Sequence, residues 1–159
     1  MNTGPYSDQQ VQKFLEDNFI SLKTQCFFDK PVELMEQFNI TWTPTLLIQD
    51  KGGREHHRIV GYVPVDDLLA HLELGMAKVF FDGNHFNNAI QSLNSIIDLH
   101  PHAGVTPEAI FYLGVAEYKR YHDGSGLRRA FDTLQEKYPG SEWARRAQPY
   151  SAISANVKV

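Results

Sequence analysis

The sequence predicts an α/β module followed by an all-helical array. Three observations support this fold class. Strand-like apolar patterns occur only before residue 62, apolar residues at helical spacing take over after residue 82, and the first part has the order α-β-α-β-β-α. We therefore expect a domain over residues 1–82, a helical region over 83–150 and a tail over 151–159.

The first three elements follow from local signals. A capping box, S-x-x-Q beginning at Ser7, predicts a helix from about residue 8 to 18. The alternation of apolar and polar residues from Phe19 to Cys26 predicts a strand. Asp29-Lys30-Pro31 predicts the start of a short helix that reaches Phe38, because proline is favoured in a first helical turn.

A β-hairpin and a long helix come next. Thr45 to Ile48 is a short apolar run directly after Pro44, and Gly52-Gly53 indicates a turn before a second strand from Arg54 to Tyr62. Pro64 then opens a helix with apolar residues at helical spacing as far as about residue 81.

Only helical signals follow. An apolar stripe from Phe86 to Ile97 ends at Pro101. Thr106-Pro107-Glu108 predicts a helix start in which the Thr106 hydroxyl is the cap. A further stripe from Leu127 to Leu134 predicts another helix, and Ser141 caps a last short one.

Composition excludes several functions. The single cysteine, Cys26, rules out an intramolecular disulfide, a CxxC motif and a cysteine-rich zinc site within this chain. A net charge of −4 disfavours nucleic acid as a partner. With no apolar run of about 18 residues and no signal-peptide order at residues 1–20, we expect a cytoplasmic protein that has no membrane partner.

The histidines do not form a metal-binding pattern. His56 and His57 are neighbours on a predicted strand, so they point to opposite faces. His100 and His102 lie in a predicted loop, and no two histidines are four residues apart. We expect no metal and no cofactor, and we interpret Cys26 as a small buried apolar residue without a redox role.

Residues 38–62, FNITWTPTLLIQDKGGREHHRIVGY, resemble the second half of a thioredoxin fold. Thr43-Pro44-Thr45, Gly52-Gly53 and Gly61 stand where that family has its proline step, its hairpin turn and the glycine before its last helix. Residues 6–24 resemble the preceding helix and strand. The family's proline is cis, and the backbone before it is free to pair with an extended ligand. The resemblance therefore implies a peptide-binding site at Trp42, Thr43, Pro44 and Thr45. The alternative is that Pro44 only shapes the fold and that Trp42 belongs to the core.

The dithiol of that family has no counterpart in the sequence. Either residues 3–6, Thr-Gly-Pro-Tyr, replace its Cys-Gly-Pro-Cys, or the first strand and dithiol loop lie upstream of Met1. Both alignments leave this chain without a dithiol. We therefore expect a non-catalytic protein, without catalytic residues of its own, that binds a protein or peptide. The alternative is a fragment of a thiol-disulfide oxidoreductase whose CxxC lies upstream of Met1.

The central first strand of the thioredoxin fold is also without a counterpart. In the family it lies between the strands that correspond to residues 20–26 and 45–50. These two strands must therefore pair directly or leave open edges that a partner chain can fill. We expect a homodimer that buries more than roughly 1,000 Å². Leu127, Phe131 and Trp143 are candidates for burial by the second copy.

Residues 76–101 resemble one tetratricopeptide repeat. Met76, Ala77 and Phe80 match the start of the repeat, and Phe86, Ala89, Leu93, Ile96 and Pro101 follow at its spacing. A second copy runs from Leu113 to Pro139, with an insertion at 122–126 that predicts a loop. The resemblance implies a helical array that binds proteins.

Overall fold

The computed structural model describes residues 4–26 and 33–154. They form two compact units that divide between Leu69 and Ala70, inside a long helix. The domain limits placed at residues 82 and 150 stay predictions.

The first unit begins with a 3-10 turn, Pro5–Ser7, and helix α1, Gln9–Asn18. The predicted capping box is wrong. Asp8 is the cap, and its carboxylate accepts the N–H groups of Gln10 and Val11 at 2.8 and 3.3 Å. The Ser7 hydroxyl instead donates to the Gly4 carbonyl at 2.8 Å, because Ser7 belongs to the preceding turn.

The predicted strand from Phe19 to Cys26 is not formed. This segment has no regular secondary structure, and within residues 4–26 and 33–154 it joins no sheet. A strand needs a neighbour that accepts and donates its backbone hydrogen bonds. The segment therefore has the alternating sequence of a strand but not the hydrogen bonds to a neighbouring strand. The element order of the first unit and the long helix is α-α-β-β-α.

Helix α2 spans Glu33–Gln37, and its predicted start at Asp29-Lys30-Pro31 lies outside the described residues. The predicted hairpin is confirmed. Strands β1, Thr45–Gln49, and β2, Glu55–Val60, are antiparallel, with Thr45 opposite Val60 and an irregularity in register after Ile48. The long helix α3, Val65–Asp82, follows Pro64 as predicted.

In the second unit, α3 is followed by α4, Phe86–Leu99, then α5, Thr106–Tyr121, α6, Ser125–Lys137, and α7, Glu142–Arg146. These are the helices that the sequence predicted, and Ser141 caps α7 as expected, accepting the N–H of Ala144 at 3.1 Å. No helix in the described part of the chain is long and apolar enough to cross a membrane.

Two details of these helices differ from prediction. Thr106 is the first residue of α5 and Val105 is its cap. The Thr106 hydroxyl is fully buried and donates to the His100 carbonyl at 2.6 Å, so it joins the loop to the helix rather than capping it. The loop expected at 122–126 is shorter, because α6 already begins at Ser125.

The second unit is held together by small residues at close helix contacts. A core of buried side chains joins α3, α4 and α5, and it includes Leu74, Leu93 and Ile96. Helix α6 approaches α5 so closely that a Cβ on Gly114 would lie 2.7 Å from the Cβ of Ala130.

Glu73 on α3 is a half-buried carboxylate with an incomplete set of hydrogen bonds. Its Oε1 accepts from the Ser95 hydroxyl at 3.2 Å, while its buried Oε2 has no partner among the described residues. Burial raises the pKa of Glu73 above its ordinary value, and the Ser95 hydrogen bond and nearby His100 lower it by less. The ionised form is therefore less stable here than in the unfolded chain.

We expect Glu73→Gln to stabilise the protein at neutral pH by less than about 1 kcal/mol, because it removes a charge from this site and solvent screening reduces the effect at a half-buried group. The stability that the protonated Glu73 provides is fully present below its ordinary pKa and is lost as pH rises through the folded pKa. The difference between variant and wild type in urea midpoint should therefore shrink as pH falls to about 4. A difference independent of pH would contradict this account.

Candidate functional site

A groove with a volume of about 1,090 Å³ lies in the first unit. One side is the chain from Thr43 to Lys51, which contains β1, and the other is formed by residues between Asn18 and Cys26. Apolar side chains from α2 and the residues after it complete the lining: Leu34, Met35, Phe38 and Ile40.

Three of the four residues predicted to bind a partner belong to the lining of this groove. Thr43, Pro44 and Thr45 line it, and the Thr43–Pro44 peptide bond is cis. Trp42 is not part of the lining, but it precedes Thr43 directly and is 62% exposed. The Thr45 hydroxyl donates to the Trp42 carbonyl at 2.7 Å, which fixes the backbone on both sides of the proline.

Within residues 4–26 and 33–154, the edge of β1 that faces away from β2 is open. The Gly61 N–H donates to the Pro44 carbonyl at 2.8 Å, so Pro44 and Gly61 are a hydrogen-bonded pair of the antiparallel ladder. Hydrogen-bonded and non-bonded pairs alternate in such a ladder. The N–H and C=O groups of Thr45 and Leu47 are therefore directed away from β2, and no other strand of the described residues pairs with β1.

The opposite side of the groove carries apolar side chains that are exposed to solvent. Ile20 is 104% and Leu22 is 85% exposed, and both line the groove. Cys26 lies at the end of the same segment, and it is partly buried. Exposed apolar side chains next to a concave apolar surface are typical of an interaction site.

Asp50 lies near the Lys51 end of the lining segment 43–51, but its oxygens are already engaged. Its carboxylate accepts the N–H groups of Gly52 and Arg54 at 2.8 and 3.1 Å and lies 3.1 Å from Nε2 of His56. The hydrogen bond with His56, and then that from Arg54, lower the pKa of Asp50. Asp50 therefore organises the hairpin turn, and the next residue, Lys51, supplies the exposed charge at this end.

Arg58 on β2 positions one wall of the groove, and sequence analysis missed it. Its guanidinium donates to the carbonyls of Phe38 and Asn39 at 2.8 and 3.3 Å and pairs with Glu55 at 2.7 Å. The hydrogen bond to Glu55 raises the pKa of Arg58 and lowers that of Glu55. A partner some 20 residues away in the chain leaves no local signal, so this role could not be predicted.

Replacing Arg58 by glutamine should lower the free energy of unfolding of the first unit by about 1–2 kcal/mol, because two carbonyls lose a charged donor. Arg58→Lys should recover only part of the loss, since an ammonium cannot reproduce the planar fork. Lys13→Gln is the control. It removes one positive charge from an exposed ion pair with Asp17 and should leave stability nearly unchanged, because water screens such a pair. Equal effects of Arg58→Gln and Lys13→Gln in chemical denaturation would contradict the conclusion that Arg58 holds this wall of the groove.

The part of the chain that the structure describes contains no cluster of three or more His, Cys, Asp or Glu that could hold a metal ion. His57 is buried on β2, and His56 is engaged with Asp50.

The three helical residues proposed for a dimer contact are instead packed within the second unit. Leu127 is buried, and Arg128 lies over the Phe131 ring at 5.7 Å. Trp143 packs against Phe111 with ring centroids 5.2 Å apart. Phe131 and Trp143 are only partly buried, so these contacts do not test the predicted homodimer. It stays a prediction, which light scattering at micromolar concentration can test.

The hairpin, the cis proline step and the helix that follows define a thioredoxin-like domain, and comparison of the sequence with protein families agrees. Residues 5–75 match the family model described as a thioredoxin-like domain. The chain thus has a thioredoxin-like domain followed by an all-helical region. Neither a curated protein nor a solved structure matches the chain.

Proposed function

We propose that this chain is a non-catalytic binding protein whose thioredoxin-like domain holds a segment of a protein or peptide partner in the groove beside Pro44. The observation that carries the proposal is that one groove has two features: an open strand edge at Thr45 and Leu47, and exposed apolar side chains at Ile20 and Leu22. The tetratricopeptide-like helices over 83–150 would provide a second surface for proteins.

The open strand edge in the groove favours a polypeptide over a small molecule. Backbone groups on an open edge suit a main chain, because they offer alternating donors and acceptors at the spacing of an extended peptide.

A permanently unfolded protein, reduced and carboxymethylated, is a direct probe of this proposal. We expect the chain to bind it, and Leu22→Asp to weaken binding strongly, because a carboxylate then stands at the apolar side of the groove. Leu99→Asp is the matched control, since Leu99 is an exposed leucine of the helical region. Binding that both variants retain, or that the wild type lacks, would contradict the proposal.

The alternative function, an oxidoreductase fragment, requires a second thiol that this chain does not contain. Reduction of a disulfide needs an attacking thiolate and then a resolving thiol, and Cys26 is the only cysteine. We therefore expect no reduction of insulin by dithiothreitol above the rate without protein. Turbidity measurements on wild type and Cys26→Ser test this, and turnover by either would contradict a non-catalytic function.

A further inference from the structure

We propose that the helical region has a binding site of its own, a cavity beside the end of α6 that takes a small organic carboxylate. The cavity has a volume of about 340 Å³, and all of its lining residues belong to the second unit. It is bordered by the loop that joins α4 to α5 and by the last turn of α6, and it shares no lining residue with the groove beside Pro44. Its volume is within the range of small-molecule sites, roughly 300–1,000 Å³.

The apolar part of the cavity is fixed by the packing of the helical core. Ile110 on α5 is buried, and it belongs to a core cluster that also contains Ala130 and Leu134. Ile97 near the end of α4 packs against the same cluster. Because the core holds Ile97 and Ile110 in place, they offer a stable apolar surface to the hydrocarbon part of a ligand.

Two hydrogen bonds hold the loop that borders the cavity. The Tyr138 hydroxyl donates to the Pro101 carbonyl at 2.6 Å, which joins the end of α6 to the loop. The buried Thr106 hydroxyl donates to the His100 carbonyl at 2.6 Å, which joins the same loop to α5. The loop is therefore tied to both helices, and the cavity is formed before a ligand binds, as is usual for small-molecule sites.

The polar residues of the lining determine the charge of the ligand. Lys137, the last residue of α6, and His102 in the loop are both exposed. Thr133, one turn before Lys137, adds a hydroxyl, and among the described residues no Asp or Glu lines the cavity. An ammonium group with two neutral donors beside an apolar surface suits a carboxylate that carries a hydrocarbon group.

The preference for a carboxylate depends on Lys137. The carbonyl end of a helix carries partial negative charge, so the end of α6 by itself would disfavour an anion beside it. The Lys137 ammonium offsets this charge at the cavity. A variant without the ammonium should therefore lose the preference for carboxylates and keep the apolar surface of Ile97 and Ile110.

The test compares three probes of similar shape: 4-phenylbutyrate, the neutral 4-phenylbutanamide and the cationic 4-phenylbutylamine. Their binding to the full chain is followed by NMR titration of the backbone amides. We expect 4-phenylbutyrate to bind with a dissociation constant of about 1 mM or lower, as for other ligands of this size. The amide should bind at least about fivefold more weakly and the amine more weakly still, because neither accepts a charge-assisted hydrogen bond from an ammonium as a carboxylate does. The shifted amides should include those of His102, Thr133 and Lys137.

A pair of lysine variants tests the charge. Lys137→Met keeps the length of the side chain and a similar helix propensity. It should lower the affinity for 4-phenylbutyrate to that for 4-phenylbutanamide. Lys119→Met is the matched control, because Lys119 is an exposed lysine in the last turn of α5 and does not line the cavity. Lys119→Met should bind all three probes as the wild type does.

A polypeptide that ends in an apolar residue carries the same chemistry, and acetyl-Gly-Gly-Phe with a free carboxylate distinguishes this source. We expect the peptide to bind more weakly than 4-phenylbutyrate, because the polar peptide group next to its carboxylate would lose water against the apolar surface. Tighter binding of the peptide would assign the cavity to a polypeptide and overturn the small-molecule proposal.

Three other outcomes would also overturn the proposal. If the wild type binds the carboxylate and the amide equally, the site does not select an anion. If Lys137→Met keeps the preference for the carboxylate, Lys137 is not its source. If no probe binds, or if the only shifted amides lie away from the lining, the cavity is a gap in packing between the loop and α6.

Discussion

Gly114→Val should lower the free energy of unfolding of the helical unit by about 3 kcal/mol, because the contact between α5 and α6 has no space for a side chain. A Cβ at this position would lie 2.7 Å from the Cβ of Ala130 and 2.8 Å from the backbone oxygen of Gly126. Neither atom is the end of a flexible side chain. The two helices must therefore separate to accommodate the substitution, and the core between them loses contacts.

Two comparisons separate this effect from the intrinsic preference of the helix. Glycine to alanine inside a helix is favourable by about 1 kcal/mol when nothing obstructs it, so a loss of stability in Gly114→Ala would reveal the steric cost directly. Gly140→Ala is the control, since nothing lies within 4 Å of a Cβ there. Adding Ala130→Gly to Gly114→Ala should recover part of the loss. Thermal or urea unfolding measures all of these, and a neutral Gly114→Val would refute the close packing.

Elements with local signals could be predicted from the sequence. The hairpin β1–β2 follows a proline, a Gly-Gly turn and two apolar runs, and α3 to α7 follow helical stripes that end at proline or glycine. Caps were less certain, because neighbouring hydroxyl and carboxylate groups compete for the same N–H groups. Asp8 took the position expected for Ser7, and buried Thr106 found a carbonyl partner instead.

The segment Phe19–Cys26 shows why a strand cannot be predicted from alternation alone. Its pattern describes which face would be apolar, but a strand forms only if another strand lies beside it. The sequence predicted one of two outcomes for the segments at 20–26 and 45–50: either they pair directly, or they leave open edges. In the described part of the chain, β1 pairs only with β2 and its other edge is open, and both segments line one groove.

The candidate site could be predicted only in part, because some of its residues are held by contacts between distant parts of the chain. Thr43, Pro44 and Thr45 were located by a contiguous motif, and all three line the groove. The wall residue Phe38 is held by Arg58 through a bond that spans 20 positions. Such a bond depends on how the chain folds back, and no spacing rule indicates it.

Leu93→Ala should destabilise the helical unit by about 3 kcal/mol, because it removes buried methyl groups and leaves a cavity. Leu93 lies on α4 and is 1% exposed, within a core that also contains Leu74, Ile96 and Ala109. Leucine and alanine have similar helix propensities, so the change in stability reports packing and not helix formation.

The same helix provides the matched control. Leu99 is the last residue of α4 and is 68% exposed, so Leu99→Ala should change stability by less than about 0.5 kcal/mol. Urea unfolding can be followed by Trp143 fluorescence in a Trp42→Phe background, since Trp143 packs against Phe111 in the helical unit. We expect the midpoint to fall for Leu93→Ala with an unchanged slope, because the surface exposed on unfolding is nearly the same. Equal midpoints for the two variants would mean that α4 does not bury Leu93 in this core, and the packing of α4 on α3 and α5 would then need revision.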